Sequence, residues 1–177
     1  MKLSNIKNND SLEFKICFDI YEKSFPSFER RLLKNQIDCI NNSNYNFDSI
    51  IDSDKNVVGF ISYWENDKFL YIEHFAIDES QRGKNVGTII LSLIKEKTNL
   101  PIILEIDPPI DNISIKREKF YNKLDFTLSK YDYIHPGYKK ESEPHILKLM
   151  CDKEIDENLF NDFYDYLTNF VMKYTEK

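Results

Sequence analysis

The segment Phe75-Ala76-Ile77-Asp78-Glu79-Ser80-Gln81-Arg82-Gly83-Lys84-Asn85-Val86-Gly87-Thr88 passes from a β-rich stretch into a helical one through a turn holding two of the chain's four glycines. A helix start carries backbone N–H groups without helical partners and the positive end of the helix dipole, so it suits a phosphate. Arg82 and Lys84 add formal charge at the same place. The local residues fit an anion site, and they fit a bare surface turn equally well. Two other phosphate motifs are excluded. A P-loop needs Ser or Thr after its Gly-Lys pair, and Asn85 follows Lys84. A dinucleotide turn needs GxGxxG after the first strand of a βαβ unit, and this turn has neither that spacing nor that place.

Two carboxylates stand out for a different reason. Glu73, in Tyr71-Ile72-Glu73-His74-Phe75, and Glu105, in Leu104-Glu105-Ile106, interrupt apolar runs that read as central strands. Burial beside a cleft raises a carboxyl's pKa toward neutral, which is what a general base acting at pH 7 needs. A structural ion pair or a solvated strand edge explains either residue as well. His74 is a further candidate, although a lone histidine more often serves packing.

The elements that must position these groups follow from periodicity. Leu12 to Phe25 carries apolar residues at helical spacing and ends at Pro26. Ser27 is placed to cap a second helix with Phe28, Leu32, Leu33, Ile37 and Ile40 on one stripe. Phe47–Ile51, Val57–Trp64 and Phe69–Ile77 read as three strands in an antiparallel meander, because only short polar spacers part them. Val86–Lys97 is a helix and Ile102–Asp107 a strand, and that strand, helix, strand order implies a parallel pair. Asn112–Leu124 is helical, Phe126–Ile134 and His145–Met150 are strands around a loop at Pro136–Pro144, and Ile155–Tyr174 is a last amphipathic helix. The expectation is one α/β domain over residues 1–177, with a core at about 10–150 and a C-terminal helix in 152–177.

Bulk properties bound the function. The 177 residues include 41% hydrophobic, 14% aromatic and 31% charged side chains, enough for one core under a well-solvated surface. A net charge of -6 and a pI near 5.2 argue against nucleic acid or an anionic membrane as partner. Cys17, Cys39 and Cys151 are odd in number and show no CxxC spacing, which reads as a reduced chain. With neither a signal-type apolar run nor the roughly 20 apolar residues of a membrane span, the chain is expected to be cytoplasmic.

The turn Arg82-Gly83-Lys84-Asn85-Val86-Gly87 resembles the signature of the GNAT superfamily of acyl-CoA N-acyltransferases, with Asn85 where the family usually has its first glycine. Lys116-Arg117-Glu118-Lys119-Phe120-Tyr121-Asn122-Lys123-Leu124-Asp125-Phe126 is similar to the family's later helix-to-strand pattern, with Asp125 in place of its usual glycine. The resemblance implies a mixed, mostly antiparallel sheet flanked by helices, with a parallel pair splayed at the CoA site. It also implies that acetyl-CoA donates an acetyl group to a primary amine by direct attack. Arg82, Gly83, Lys84, Asn85, Val86, Gly87 and Thr88 would hold the pyrophosphate, and the backbone of Phe75, Ala76 and Ile77 the pantetheine. Tyr121 matches the family's general acid, and Glu105 or Glu73 would be the base. The acceptor would be a small-molecule or peptide amine, with no metal, no nucleic acid and no membrane, in a monomer or homodimer. A second reading keeps CoA binding without turnover, as a regulatory or interaction module. The aromatic stretch Tyr131–Tyr138 either lines the acceptor pocket or merely ends a strand, and the C-terminal helix closes that pocket, pairs subunits or packs on the sheet.

Overall fold

The computed structural model describes residues 1–140 and 142–176; Glu141, within the expected Pro136–Pro144 loop, lies outside them. Seven strands form one sheet: β1 (Lys2–Asn5), β2 (Tyr45–Ile51), β3 (Val57–Glu65), β4 (Leu70–Ile77), β5 (Ile102–Ile106), β6 (Thr127–His135) and β7 (His145–Cys151), in the order β1-β2-β3-β4-β5-β7-β6. All neighbours are antiparallel except β4 and β5, which are parallel as the crossover between them requires. Helices α1 (Leu12–Ser24), α2 (Leu33–Ile40) and α5 (Glu157–Asn169) belong to the core on one face, and α3 (Val86–Lys97) and α4 (Asn112–Asn122) to the core on the other. Among the described residues no helix is long and apolar enough to cross a membrane. The three cysteines are free and buried.

The alternation of side chains along β5 divides the two cores. Ile102, Leu104 and Ile106 pack with Val86, Ile90, Leu91 and Ile94 of α3, whereas Ile103 joins the opposite core. Glu105 shares the face of Ile103. In β4 the alternation is broken by a bulge. Ser62 pairs with His74 and Tyr63 with Ile72, so Glu73 is the extra residue. Consecutive Glu73 and His74 therefore both reach toward the α1 and α5 side, where the His74 ring meets Tyr21 at 4.7 Å and Phe25 at 4.8 Å.

The bulge aims Glu73 at Arg31, whose guanidinium lies 2.6 Å away with both side chains fully buried. Arg31 also donates from Nε to the Tyr174 carbonyl (3.0 Å) and from Nη2 to the Val171 carbonyl (3.3 Å), and so fastens the C-terminal segment to the sheet. This contact corrects the expected second helix. Instead of continuing from Ser27, the chain makes a 3-10 turn at Ser27–Glu29, extends at Arg30 and Leu32, and starts α2 only at Leu33. The Arg31 N–H donates to the Tyr21 hydroxyl at 2.9 Å, and an extended backbone sends its side chain inward. Phe28 and Leu33, expected on a buried stripe, remain about half exposed, at 47% and 48%. Strand β1 has no counterpart in the sequence reading, because Leu3 is its only apolar residue and it adds to the sheet through main-chain pairing with β2. The C-terminal helix packs on the sheet, with Phe163 5.2 Å from Tyr71 and 5.8 Å from Phe69.

Removing one partner of a buried pair strands the other charge. Arg31→Leu is therefore expected to cost on the order of 3–5 kcal/mol of unfolding free energy in urea, and Arg31→Leu with Glu73→Leu less than Arg31→Leu alone. A single-variant loss below about 1 kcal/mol would refute this account.

Candidate active site

Pairing between β4 and β5 runs from Leu70 and Ile102 to Ile72 and Leu104 and stops there, one residue before Glu73. Beyond that point the strands part. The edge of β4 at Phe75, Ala76 and Ile77 faces an open groove, with β3 paired only on its other side. Gly59 permits that β3 pairing, since a Cβ there would sit 2.5 Å from the Ala76 carbonyl oxygen. The groove runs on past the start of α3 and along α4, and encloses roughly 2490 Å³ including its open mouth.

The start of α3 is built to leave donors free. Asn85 is its N-cap at φ 63, ψ 12, a left-handed conformation that asparagine tolerates better than most residues. Its side chain caps nothing, in contrast to Ser11, Asp111 and Asp156, which cap α1, α4 and α5. The N–H groups of Val86, Gly87 and Thr88 precede the first bond of this helix, Ile89 N–H to the Asn85 carbonyl, and these three residues line the groove. Gly87 is needed for packing, as a Cβ there would lie 3.0 Å from the Phe120 ring. Asp125, the other departure from the glycine pattern, also has φ 63.

Of the expected cofactor contacts, Phe75, Ala76, Ile77, Arg82, Gly83, Asn85, Val86, Gly87 and Thr88 line the groove. Lys84 does not, and its ammonium is held by Gln81 Oε1 at 2.8 Å. Cations that were not among the expected cofactor contacts also line the groove: Lys23, Lys116, Arg117 and Lys123. Lys23 lies on α1, Lys116 and Arg117 on α4 and Lys123 at its C-cap, and only their position in the fold brings them to one groove.

Tyr121 is buried against Phe120 and Phe126 and lines the same groove. Burial pushes its hydroxyl up to about 12, so it carries its proton at neutral pH.

The two glutamates have opposite environments. Burial pushes the Glu73 carboxyl up, but Arg31 and the hydrogen bond from Trp64 Nε1 (2.9 Å) outweigh it and hold the group below its ordinary range. Tyr138 Oη donates to its other oxygen at 2.9 Å. Both oxygens of Glu73 are thus engaged. Glu105 accepts one bond, from Tyr71 Oη to Oε2 at 2.6 Å, while its buried Oε1 has no partner among the described residues. Burial raises its carboxyl to about 8, the Tyr71 bond opposes the rise, and the charge of Glu73 adds to it. His74 donates from Nε2 to the Glu29 carbonyl (2.8 Å), and burial lowers its pKa to about 4, so the ring is neutral.

A second cavity, of about 560 Å³ including its open mouth, shares Phe25, Glu73, Glu105 and Arg117 with the groove. His135, Pro136, Gly137 and Tyr138 form one wall, so the aromatic stretch divides: its end lines this cavity, while Tyr131 stacks on Phe160 of α5 at 4.6 Å. Glu29, Asp107 and Glu143 add acidic groups to the lining. Asp107 pairs with Arg117 at 2.5 Å, and His145 sits 3.6 Å from Glu29 and 3.8 Å from Asp107. Glu105 lines both the groove and this cavity.

Residues 14–126 match the acetyltransferase (GNAT) family, and the chain belongs to that family, whose acyl donor is acetyl-CoA. A GNAT-family protein from Bacteroides thetaiotaomicron has a similar structure, with TM-score 0.90 and 29% identity over 97% of this chain and 98% of that one. An aminoglycoside 6'-N-acetyltransferase solved with coenzyme A matches at TM-score 0.60 and 13% identity, over 89% of this chain and 100% of its own. A chimeric spermidine N-acetyltransferase that includes Vibrio cholerae sequence matches at TM-score 0.63 and 15% identity, over 85% and 95%. At such identities the last two share the fold alone. No curated protein sequence matches the chain.

Placement rather than charge alone should govern binding of the CoA phosphates. Arg82→Ala is expected to weaken CoA about fivefold in isothermal titration, as the loss of one exposed charge contact does, and Lys84→Ala less than about twofold. Equal losses would refute the distinction. At the helix start, Asn85→Ala should cost about 1 kcal/mol in thermal unfolding and Asn85→Gly none, because only the alanine suffers the left-handed strain.

Proposed function

We propose that this acetyltransferase moves the acetyl group of acetyl-CoA to a primary amine by direct attack, with Glu105 as general base and Tyr121 as general acid. The observation that carries the reading is the position of Glu105: a buried carboxyl with one free oxygen, where the CoA groove and the acidic cavity meet. Glu73 is not assigned the base role, because Arg31, Trp64 and Tyr138 already occupy its oxygens.

In this reading CoA lies in the groove with its pyrophosphate over the N–H groups of Val86, Gly87 and Thr88, and its pantetheine along Phe75 to Ile77. The acceptor enters from the other cavity as an ammonium, gives one proton to Glu105, and attacks the thioester carbonyl carbon with the freed lone pair. An N–H of the parted β4 edge faces the oxyanion. As the C–S bond breaks, Tyr121 donates its proton to the sulfur and is reprotonated from the amide nitrogen. One proton is released overall. The phenol remains protonated until that moment because burial keeps its pKa high.

The acidic lining at Glu29, Asp107 and Glu143 favours an acceptor with positive charge beyond the reacting amine. Spermidine and the aminoglycosides, named for two of the fold neighbours, are compounds of that kind and form the first panel to test.

Free-thiol release from acetyl-CoA, measured across polyamines, aminoglycosides, amino acids and peptides, tests the reading. An amine-dependent signal is expected, reduced about 10²-fold or more in Glu105→Gln and in Tyr121→Phe. Tight CoA binding with no release for any amine would instead favour a binding module. Glu105 is charged only above its raised pKa, so kcat/KM should climb with pH through about 8 and then level. The groups facing Glu105 are Tyr71, Glu73 and His135, of which Tyr71 stays protonated and Glu73 ionised across that range.

A further inference from the structure

His135 ends β6 beside the acidic cavity, inside the aromatic stretch Tyr131–Tyr138, for which lining the acceptor pocket is one of two sequence readings. Its side chain is only 2% exposed and its ring stacks on Tyr138, with centroids 5.0 Å apart and planes 19° from parallel. Nδ1 lies 2.6 Å from the Pro136 carbonyl oxygen. A carbonyl only accepts, so Nδ1 carries a hydrogen and donates it. Burial lowers the pKa of the ring to about 4, although the Pro136 bond opposes this, and the imidazole is therefore neutral. A neutral imidazole with hydrogen on Nδ1 has a bare lone pair on Nε2. That lone pair is buried with no hydrogen-bond partner among the described residues and lies 3.9 Å from Glu105 Oε2.

Once Glu105 is ionised, His135 Nε2 and Glu105 Oε1 are two acceptors with no partner among the described residues, in a cavity lined by both. With Glu105 ionised neither can donate to the other. A buried polar atom without a partner is costly, so the pair is matched to something that donates twice from one centre. A hydroxyl has one hydrogen to give, whereas a primary amine has two and its ammonium three.

We propose that His135 is an acceptor-positioning residue: its Nε2 lone pair and Glu105 Oε1 hold the reacting nitrogen by two N–H bonds. This rests on the acetyl-transfer reading above and extends it. Once Glu105 has taken its proton, the bond to His135 keeps the neutral amine oriented, with its own lone pair turned toward the thioester carbon. The same two-acceptor geometry selects an amine over the corresponding alcohol.

Two substitutions separate this role from a purely structural one. His135→Asn keeps an amide N–H close to the position of Nδ1, and hence the bond to Pro136, but removes the Nε2 acceptor. His135→Gln carries an amide oxygen out toward Nε2 and gives up the Nδ1 bond. With the best amine of the panel as substrate, His135→Asn is expected to raise the amine KM about tenfold while leaving the acetyl-CoA KM and the CoA Kd unchanged. His135→Gln should recover most of that loss. Wild-type amine KM in His135→Asn, or a larger defect in Gln than in Asn, would overturn the proposal and return His135 to a packing role. If the wild-type protein releases no thiol with any amine, acetyl transfer itself fails. Amine-dependent release with unaltered His135→Asn kinetics defeats only the inference about His135.

Discussion

The ion pair between Arg31 and Glu73 is the contact on which the site depends, since both groups are wholly withdrawn from water and neither can be buried alone. Trp64 and Tyr138 donate to the same carboxylate, and Arg31 reaches the carbonyls of Val171 and Tyr174. One charged centre therefore joins the bulge of β4, the segment before α2, the loop after β6 and the C-terminus. Its satisfaction also decides the electrostatics of its neighbour. Glu73 stays ionised because a cation compensates it, and Glu105, buried with no cationic partner among the described residues and near that negative charge, holds its proton to about 8. Two carboxylates on adjacent strands are driven apart in pKa by environment alone, a separation suited to one structural and one chemical role.

The bulge that delivers Glu73 also marks where the sheet opens. Pairing of β4 with β5 ends at Ile72, so the next main-chain groups of β4 face a groove rather than a strand. The uncapped start of α3 lies along that groove, and its left-handed Asn85 turns the chain into the helix without a side chain over the N–H groups. A sheet that parts and a helix that leaves its first donors free are two defects in regular structure. Together they leave an open groove with free main-chain donors along its wall. Among the charged residues lining the groove, cations outnumber anions although the whole chain carries a net charge of -6. Local arrangement, not overall charge, sets the field that an approaching ligand meets.

Much of this was legible in the residues. Val86–Lys97 reads as a helix and has those bounds, and the parallel pair follows from the strand, helix, strand order. Asn85 and Asp125 stand where a glycine pattern is broken, and both adopt φ 63, because these two residue types tolerate left-handed backbone. The second helix was misread. Its apolar spacing was genuine, but Arg31 within it had a partner far away in sequence, and burying that charge outweighs helical continuity. Strand β1 was missed because an edge strand held by main-chain bonds needs little apolar alternation.

The sequence by itself determined the order of most elements, the phosphate-type turn, the family resemblance and a short list of ionisable residues, since periodicity, turn chemistry and motif spacing are local properties. It could not rank Glu73 against Glu105, exclude Lys84 from the groove, or single out Lys116, Lys123 and His135. Those distinctions belong to the tertiary structure. Burial and the identity of distant partners arise only when segments far apart in the chain meet, and they decide which polar atoms remain unsatisfied.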